Sequence, residues 1–182
     1  MQPHIHFVLG GARSGKRRLA EQYARATKRP VIYVATAEAK DPEMFSRIAK
    51  HKLHRPTEWT IVEQPLALAD AIQAAAETHA CILVDCLTLW LSNCLCANAE
   101  ASFATRKHAF IQAIAYAKAQ GCVVILVSNE VGHGIVPLGA LSRSFVDESG
   151  WLHQDVARVA DSVVFVMAGL PLTMKRTLEE CQ

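Results

Sequence analysis

The sequence predicts an α/β fold, a mainly parallel β-sheet covered by helices on both faces. Three observations carry that expectation. Short runs of Val, Ile and Leu recur without polar alternation, the pattern of strands buried on both faces. Longer segments between them carry apolar residues at three- and four-residue spacing, the pattern of covering helices. The 182 residues, 51% hydrophobic and 20% charged, suit one globular domain spanning 1–182 with a single substantial core.

The elements follow in order. HIHFVLG (4–10) reads as a first strand, and 15–27 as a helix whose Leu19, Ala20, Tyr23 and Ala24 share one face. VIYVAT (31–36) is a second strand, and Asp41 caps an expected helix to about Lys52, with Pro42 at its first position. WTIVEQ (59–64) is a short strand, PLALADAIQAAAET (65–78) a helix opened by proline, and CILVDCL (81–87) a further apolar strand. Residues 100–120 read as a long helix ended by Gly121, and CVVILVSNE (122–130) as another buried strand. GHGIVPLG (132–139) is a Gly/Pro loop, 140–160 is mostly helical, and SVVFVMAG (162–169) is expected to be the last strand.

Composition excludes several classes. A net charge of +2 with no basic tail argues against a nucleic-acid or membrane surface. No apolar run reaches the roughly 18 residues of a membrane helix, and the N-terminal MQPHIHFVLGG lacks the basic and long apolar regions of a signal peptide. Of the six cysteines, Cys81, Cys86 and Cys122 lie in apolar runs, while Cys94 and Cys96 form C-x-C rather than a paired zinc spacing. They read as reduced, structural thiols of a cytoplasmic protein.

The chemistry concentrates in four places. Residues 10–17, GGARSGKR, match the phosphate-binding loop G-x-x-x-x-G-K-[ST] at Gly10, Gly15 and Lys16 and depart from it at Arg17. Glycines let backbone N–H groups turn inward around a phosphate, the new helix adds its positive end, and Lys16 reaches the β/γ-phosphates. A plain glycine turn is the competing reading; the strand before it and the lysine in register argue against it. Arg17 bears on the metal rather than the phosphate, because a guanidinium cannot ligate Mg²⁺, which then leans on other ligands, water included. Asp85, closing CILVD, is the second place, where P-loop proteins set a further Mg²⁺ contact, direct or through water. Its alternative is an ordinary strand ending in a solvent-facing carboxylate.

The third place is FSRIAKHKLHRP (45–56), where helical spacing puts Arg47 with His51, and Lys50 with His54, on shared faces. Two readings stay open from spacing: a solvated basic face, or a histidine nucleophile for nucleotidyl transfer flanked by cations that offset developing negative charge. The fourth is SNEVGHGIVPLG (128–139), at the carboxyl end of a buried strand, where open α/β sheets gather ligands. Asn129 and Glu130 are candidate substrate contacts, with a plain connecting loop as the alternative. His133 reads as a loop side chain, and His4, His6, His79 and His108 as surface or strand residues.

Taken together, the blocks GGARSGK (10–16), YVATAEAKDPEM (33–44), RIAKHKLHRP (47–56), VDCLTLWLSN (84–93), SNEVGHGIVP (128–137), RSFVDESGWLHQ (143–154) and ADSVVFVMAGLP (160–171) resemble the bifunctional adenosylcobinamide kinase / adenosylcobinamide-phosphate guanylyltransferase family of cobalamin biosynthesis. They keep the family order and cover nearly the whole chain. The resemblance implies a RecA-like P-loop fold and two reactions. One phosphorylates the hydroxyl of the aminopropanol arm of adenosylcobinamide with ATP or GTP. The other moves GMP from GTP onto that phosphate through a guanylylated histidine, releasing pyrophosphate and giving adenosylcobinamide-GDP.

The family histidine lies in R-I-x-x-H-x-x-x-R-P, which puts it at His51 rather than His54. The resemblance also implies a nucleotide site lined by Gly10, Gly11, Ala12, Arg13, Ser14, Gly15, Lys16, Arg17, Val34, Ala35 and Thr36. Lys52, Leu53, His54, Arg55, Glu63 and Asp85 are implied to meet GTP around the covalent step, with Mg²⁺ as cofactor and a homo-oligomer, a trimer, as the assembly. Three positions depart from the family: Arg17 stands for the usual serine, His153 for an Asn before Gln154, and Val146 for a frequent basic residue. Arg17 leaves one alternative, a guanylyltransferase with weak or lost kinase activity; a nucleotide-binding module without turnover, with His51 idle, is another.

Overall fold

The computed structural model describes residues 4–38, 56–97 and 101–176. Seven strands form one sheet in the order β3-β2-β4-β5-β1-β6-β7: β1 Ile5–Gly10, β2 Val31–Ala35, β3 Thr60–Glu63, β4 Cys81–Asp85, β5 Val123–Asn129, β6 Ser162–Met167 and β7 Leu170–Arg176. The first six run parallel, and β7 returns antiparallel to β6. The helices are α1 Lys16–Ala26, α2 Leu68–Ala76, α3 Leu87–Cys96, α4 Phe103–Ala119 and α5 Ala140–Val159.

The sheet is parallel because each apolar strand needs both faces covered. Along β1, Ile5, Phe7 and Leu9 pack into one core and Val8 into the other. The first core takes α2, α3, α4 and α5, through residues such as Ile72, Trp90, Phe110, Ile114 and Val156. Among the described residues the opposite face is covered by α1, whose Ala20 and Ala24 are fully buried against Val8, Leu83 and Ile125. Small side chains there let the helix that leaves the glycine loop lie close to the sheet.

The structure corrects three sequence expectations. The helix expected over 65–78 spans Leu68–Ala76, so Pro65 precedes it by a short turn rather than opening it. Strand β4 stops at Asp85, and the next residues form α3, which the sequence reading did not separate out. That helix is apolar almost all round, burying Leu87, Trp90, Leu91 and Cys94, so it lacks the polar face that marks an amphipathic helix. Strand β6 is not the last: Ala168 and Gly169, both at positive φ (52° and 80°), turn the chain into β7. Pro171 argues against a strand in the sequence, yet β7 is an edge strand, where proline is tolerated. The helix expected from Asp41 to about Lys52 lies outside the described residues.

Cys81, Cys86, Cys94 and Cys122 are buried free thiols and Cys96 is exposed. Burial pushes the Cys81 thiol up to about 12 and those of Cys86 and Cys94 up to about 11. They stay protonated and act as small apolar side chains.

Candidate active site

The carboxyl ends of the central strands meet at one edge of the sheet. Ala35 at the end of β2 pairs with Glu63 of β3 on one side and Asp85 of β4 on the other. Gly10 at the end of β1 pairs with Asn129 of β5. Ligands of open parallel sheets gather at such an edge.

The loop between β1 and α1 is held by its own backbone. Ser14 N donates to Gly11 O at 3.3 Å, Gly169 N to Ser14 O at 2.9 Å, and Leu19 N to Gly15 O at 3.2 Å. Gly15 caps α1 in the left-handed region (φ 95°), a conformation that favours glycine. At Gly10 the neighbours decide: a Cβ there would collide with the Val166 carbonyl oxygen and lie 2.6 Å from Ser14 Oγ. Lys16 folds over the loop, its Nζ donating to Gly11 O at 3.0 Å. Burial pulls the Lys16 ammonium below its ordinary value, opposed by nearby Cys86 and Asp85.

Basic residues fill the first turn of α1 and no acid stands there. Lys16, Arg17 and Arg18 at the positive end of a helix are unfavourable by themselves. An anion bound to the loop reverses that cost, which is the electrostatic signature of a phosphate site rather than of an ordinary turn.

Arg17 does not project into solvent. Its Nε lies 2.9 Å from Glu21 Oε1 and 3.6 Å from Asp85 Oδ2, and its guanidinium carbon sits 5.7 Å from the Tyr33 ring centroid. Tyr33 also donates its hydroxyl to Asp85 Oδ2. Burial works against the Arg17 charge, but Tyr33, Asp85 and Glu21 outweigh it and raise its affinity for the proton.

This arrangement does not fit a metal bound directly by residues 17 and 85. Mg²⁺ needs oxygen ligands at near-octahedral geometry. Residue 17 supplies none, and the Asp85 carboxylate already accepts from Tyr33 and faces the guanidinium. No group of three or more His, Cys, Asp or Glu able to hold a metal occurs among the described residues.

The other candidates divide. Val34 and Ala35 are core side chains, 0% and 4% exposed, so their side chains are closed to a ligand. Thr36 is a brace: its hydroxyl donates to Cys86 O (2.7 Å) and accepts from Cys86 N (2.8 Å), while Asn93 Nδ2 donates to its carbonyl at 2.8 Å. Gly11, Ala12 and Arg13 line the open side of the loop, with Arg13 at φ 55°. Glu63 is exposed at the end of β3. His51, Lys52, Leu53, His54 and Arg55 lie outside the described residues.

Asn129 and Glu130 reach the loop through the backbone, where Glu130 N donates to Gly10 O at 3.1 Å. Behind them is a buried polar cluster that sequence reasoning missed. Ser128 Oγ is 2.8 Å from His153 Nε2 and 3.1 Å from Thr88 Oγ1, and Asn129 N donates to Thr88 Oγ1 at 2.7 Å. His153 Nδ1 lies 3.6 Å from Glu130 Oε2, whose partner oxygen accepts from Gly132 N at 2.6 Å. Burial pushes the His153 imidazole below the usual histidine range, against the pull of Glu130. The missed signal was Ser128, a polar residue that follows the apolar run of β5 and is itself fully buried.

A glycine loop between a buried strand and a cationic helix start, at the carboxyl edge of a parallel sheet, defines the P-loop class of nucleotide enzymes. A profile of the family described as "Cobinamide kinase / cobinamide phosphate guanyltransferase" matches residues 6–174. The chain belongs to this family of enzymes. It is 48% identical to the bifunctional adenosylcobalamin biosynthesis protein CobP of Pseudomonas aeruginosa, over 92% of this chain and 95% of that one. It is 36% and 38% identical to the bifunctional adenosylcobalamin biosynthesis proteins CobU of Escherichia coli and Salmonella typhimurium, over 92% of this chain and 98% of each.

Proposed function

We propose that this chain phosphorylates the aminopropanol hydroxyl of adenosylcobinamide with ATP or GTP, then transfers GMP from GTP onto that phosphate through His51. In the second reaction an imidazole nitrogen of His51 attacks the α-phosphorus, the α–β phosphoanhydride bond breaks, and pyrophosphate leaves from the loop. A phosphate oxygen of adenosylcobinamide phosphate then attacks the same phosphorus, the P–N bond breaks, and adenosylcobinamide-GDP departs with the imidazole restored.

The observation that carries the reading is the loop itself. Gly10 and Gly15 shape a tight turn at the strand ends and Lys16 folds over it, an arrangement that supports holding the departing phosphates in position for transfer. Lys16 neutralises those phosphates, while Asn129 and Glu130, beside Gly10, are the proposed contacts to the corrinoid's reacting arm. Lys52 to Arg55 and Glu63 are proposed around the guanylylated state on the family motif alone. Mg²⁺ is proposed only as the counter-ion a nucleotide carries with it, and no step is assigned to it.

A second reading, transferase activity with a weak kinase step, is favoured by Arg17 at the hydroxyl position, its Nε 3.6 Å from Asp85 Oδ2. One experiment separates the two. The protein is incubated with GTP labelled at the α- or γ-phosphate, with and without adenosylcobinamide. Acid-labile, alkali-stable label from the α position alone, absent in His51→Ala, is expected. No α-label on the wild-type protein sinks the histidine mechanism. Label passing from the γ position to the corrinoid supports both reactions, and its absence leaves the transferase alone.

A further inference from the structure

The Arg17 side chain raises a question that neither reaction answers: why a cation should occupy the place of a metal-binding hydroxyl. An arginine at that helix position could be a solvated partner of Glu21, four residues on. The geometry argues otherwise. The Arg17, Asp85 and Glu21 side chains are only 21%, 20% and 22% exposed, too enclosed for an ordinary surface pair. Tyr33 fixes the arrangement from below, its ring under the guanidinium and its hydroxyl on the same Asp85 oxygen that faces Arg17. The four side chains come from α1, β2 and β4, so three elements converge to hold one charge.

A phosphate loop beside a bare carboxylate faces an electrostatic problem. A triphosphate bound at Lys16 is highly anionic, and Asp85 at the end of β4 and Glu21 one turn into α1 add two further negative charges nearby. P-loop proteins commonly meet this with a divalent ion bridging the phosphates, the loop hydroxyl and the strand-end carboxylate. At that point this chain carries Arg17, a permanent cation, where the P-loop pattern has the hydroxyl. A guanidinium is always charged, less strongly hydrated than an ammonium, and matched to both carboxylate and phosphate oxygens.

We infer that the Arg17 guanidinium is the resident cation of this phosphate site, neutralising Asp85 so that the loop holds a nucleoside triphosphate without a divalent metal bridged to residues 17 and 85. The inference rests on the proposed nucleotide site at the loop. It divides the roles of neighbouring residues. Lys16 meets the phosphates, Arg17 cancels the carboxylate behind them, and Tyr33 is a positioning residue that keeps both partners in place.

The test is calorimetric titration of the full chain with α,β-methylene-GTP, which cannot pass on its GMP, in excess EDTA and in millimolar Mg²⁺. For the wild-type protein the two dissociation constants are expected to agree within about twofold, a difference of only ~0.4 kcal/mol. Arg17→Ser and Arg17→Ala leave Asp85 and Glu21 uncompensated and are expected to bind at least about tenfold more weakly in EDTA than the wild type. Mg²⁺ should restore much of the loss in Arg17→Ser, which regains the hydroxyl. Arg17→Lys keeps a charge and should stay within a few-fold of the wild type, which covers the case of a serine variant that folds poorly. Wild-type binding that weakens about tenfold or more on removing Mg²⁺ overturns the inference and leaves the nucleotide site standing. Equal EDTA affinities for Arg17→Ala and the wild type overturn it as well. Absence of wild-type binding in both buffers overturns the nucleotide site itself, and the role of Arg17 with it.

Discussion

His153 is held as a neutral imidazole in a buried polar cluster, with Ser128 on one nitrogen and Glu130 facing the other. Its proton affinity is lowered in the folded chain, because burial disfavours the imidazolium more than Glu130 favours it. The unfolded chain therefore binds more protons than the folded one below the ordinary value of 6.5. Stability should be insensitive to His153 above that pH and should fall as the pH drops through the lowered folded value. His153→Asn keeps hydrogen-bonding capacity without the titration, so its urea midpoint should lose this acid-side slope. Identical slopes for the two proteins, measured from neutral pH downward, would show that His153 is not the group responsible.

At the scale of elements, α3 links the core to the site. It starts two residues after Asp85, and its Asn93 donates to the Thr36 carbonyl at 2.8 Å and to the Pro65 carbonyl at 3.2 Å. Trp90 is the anchor: 1% exposed, its ring packs at 5.6 Å from Phe103 and 5.0 Å from Phe110, and its Nε1 donates to Leu66 O at 3.0 Å. Trp90→Ala should cost about 3–5 kcal/mol of unfolding free energy, from lost apolar contact and an unfilled cavity. Because Trp90 also orders the turn before α2, Trp90→Phe should recover most of the packing and leave the Leu66 carbonyl without that donor. Chemical denaturation of the three proteins tests the order wild type, Phe, Ala.

For the whole molecule, the uneven distribution of apolar surface is the feature that calls for a partner. Ile135 and Leu138 are 97% and 98% exposed in the loop after β5, and Val136, Leu141 and Trp151 are also exposed, as are Leu170, Leu172 and Met174 on edge strand β7. Soluble monomers seldom leave so many large apolar side chains in water, and such surface commonly marks an interface. We propose that copies of this chain associate through the loop and the first half of α5, as the family resemblance implies for a trimer. Light scattering after size-exclusion chromatography should give the mass of three chains. Ile135→Asp with Leu138→Asp should shift it downward, and a wild-type monomer would rule the assembly out.

Much of the fold was legible because its signals are local. Val/Ile/Leu runs announce β1, β2, β4, β5 and β6, and the glycine loop with Lys16 announces the turn into α1. Elements that escaped are those whose evidence is non-local. α3 is apolar almost all round, so only its position under α4 makes it a helix of the core. β7 is a strand because β6 offers it an edge, and its proline hides it. The family blocks, the loop and the importance of position 17 could all be read along the chain. No helix among the described residues is long and apolar enough to cross a membrane.

By itself the sequence determined the order of the elements other than α3 and β7, the family and the residue types available for phosphate chemistry, since these depend on periodicity and on neighbours a few residues apart. Only the tertiary structure decided which residues Arg17 and His153 meet. Each takes its meaning from residues brought in by other elements: Tyr33 and Asp85 for the one, Ser128 and Glu130 for the other. Charge and burial act through space, and a linear pattern carries no record of which carboxylate a guanidinium will meet.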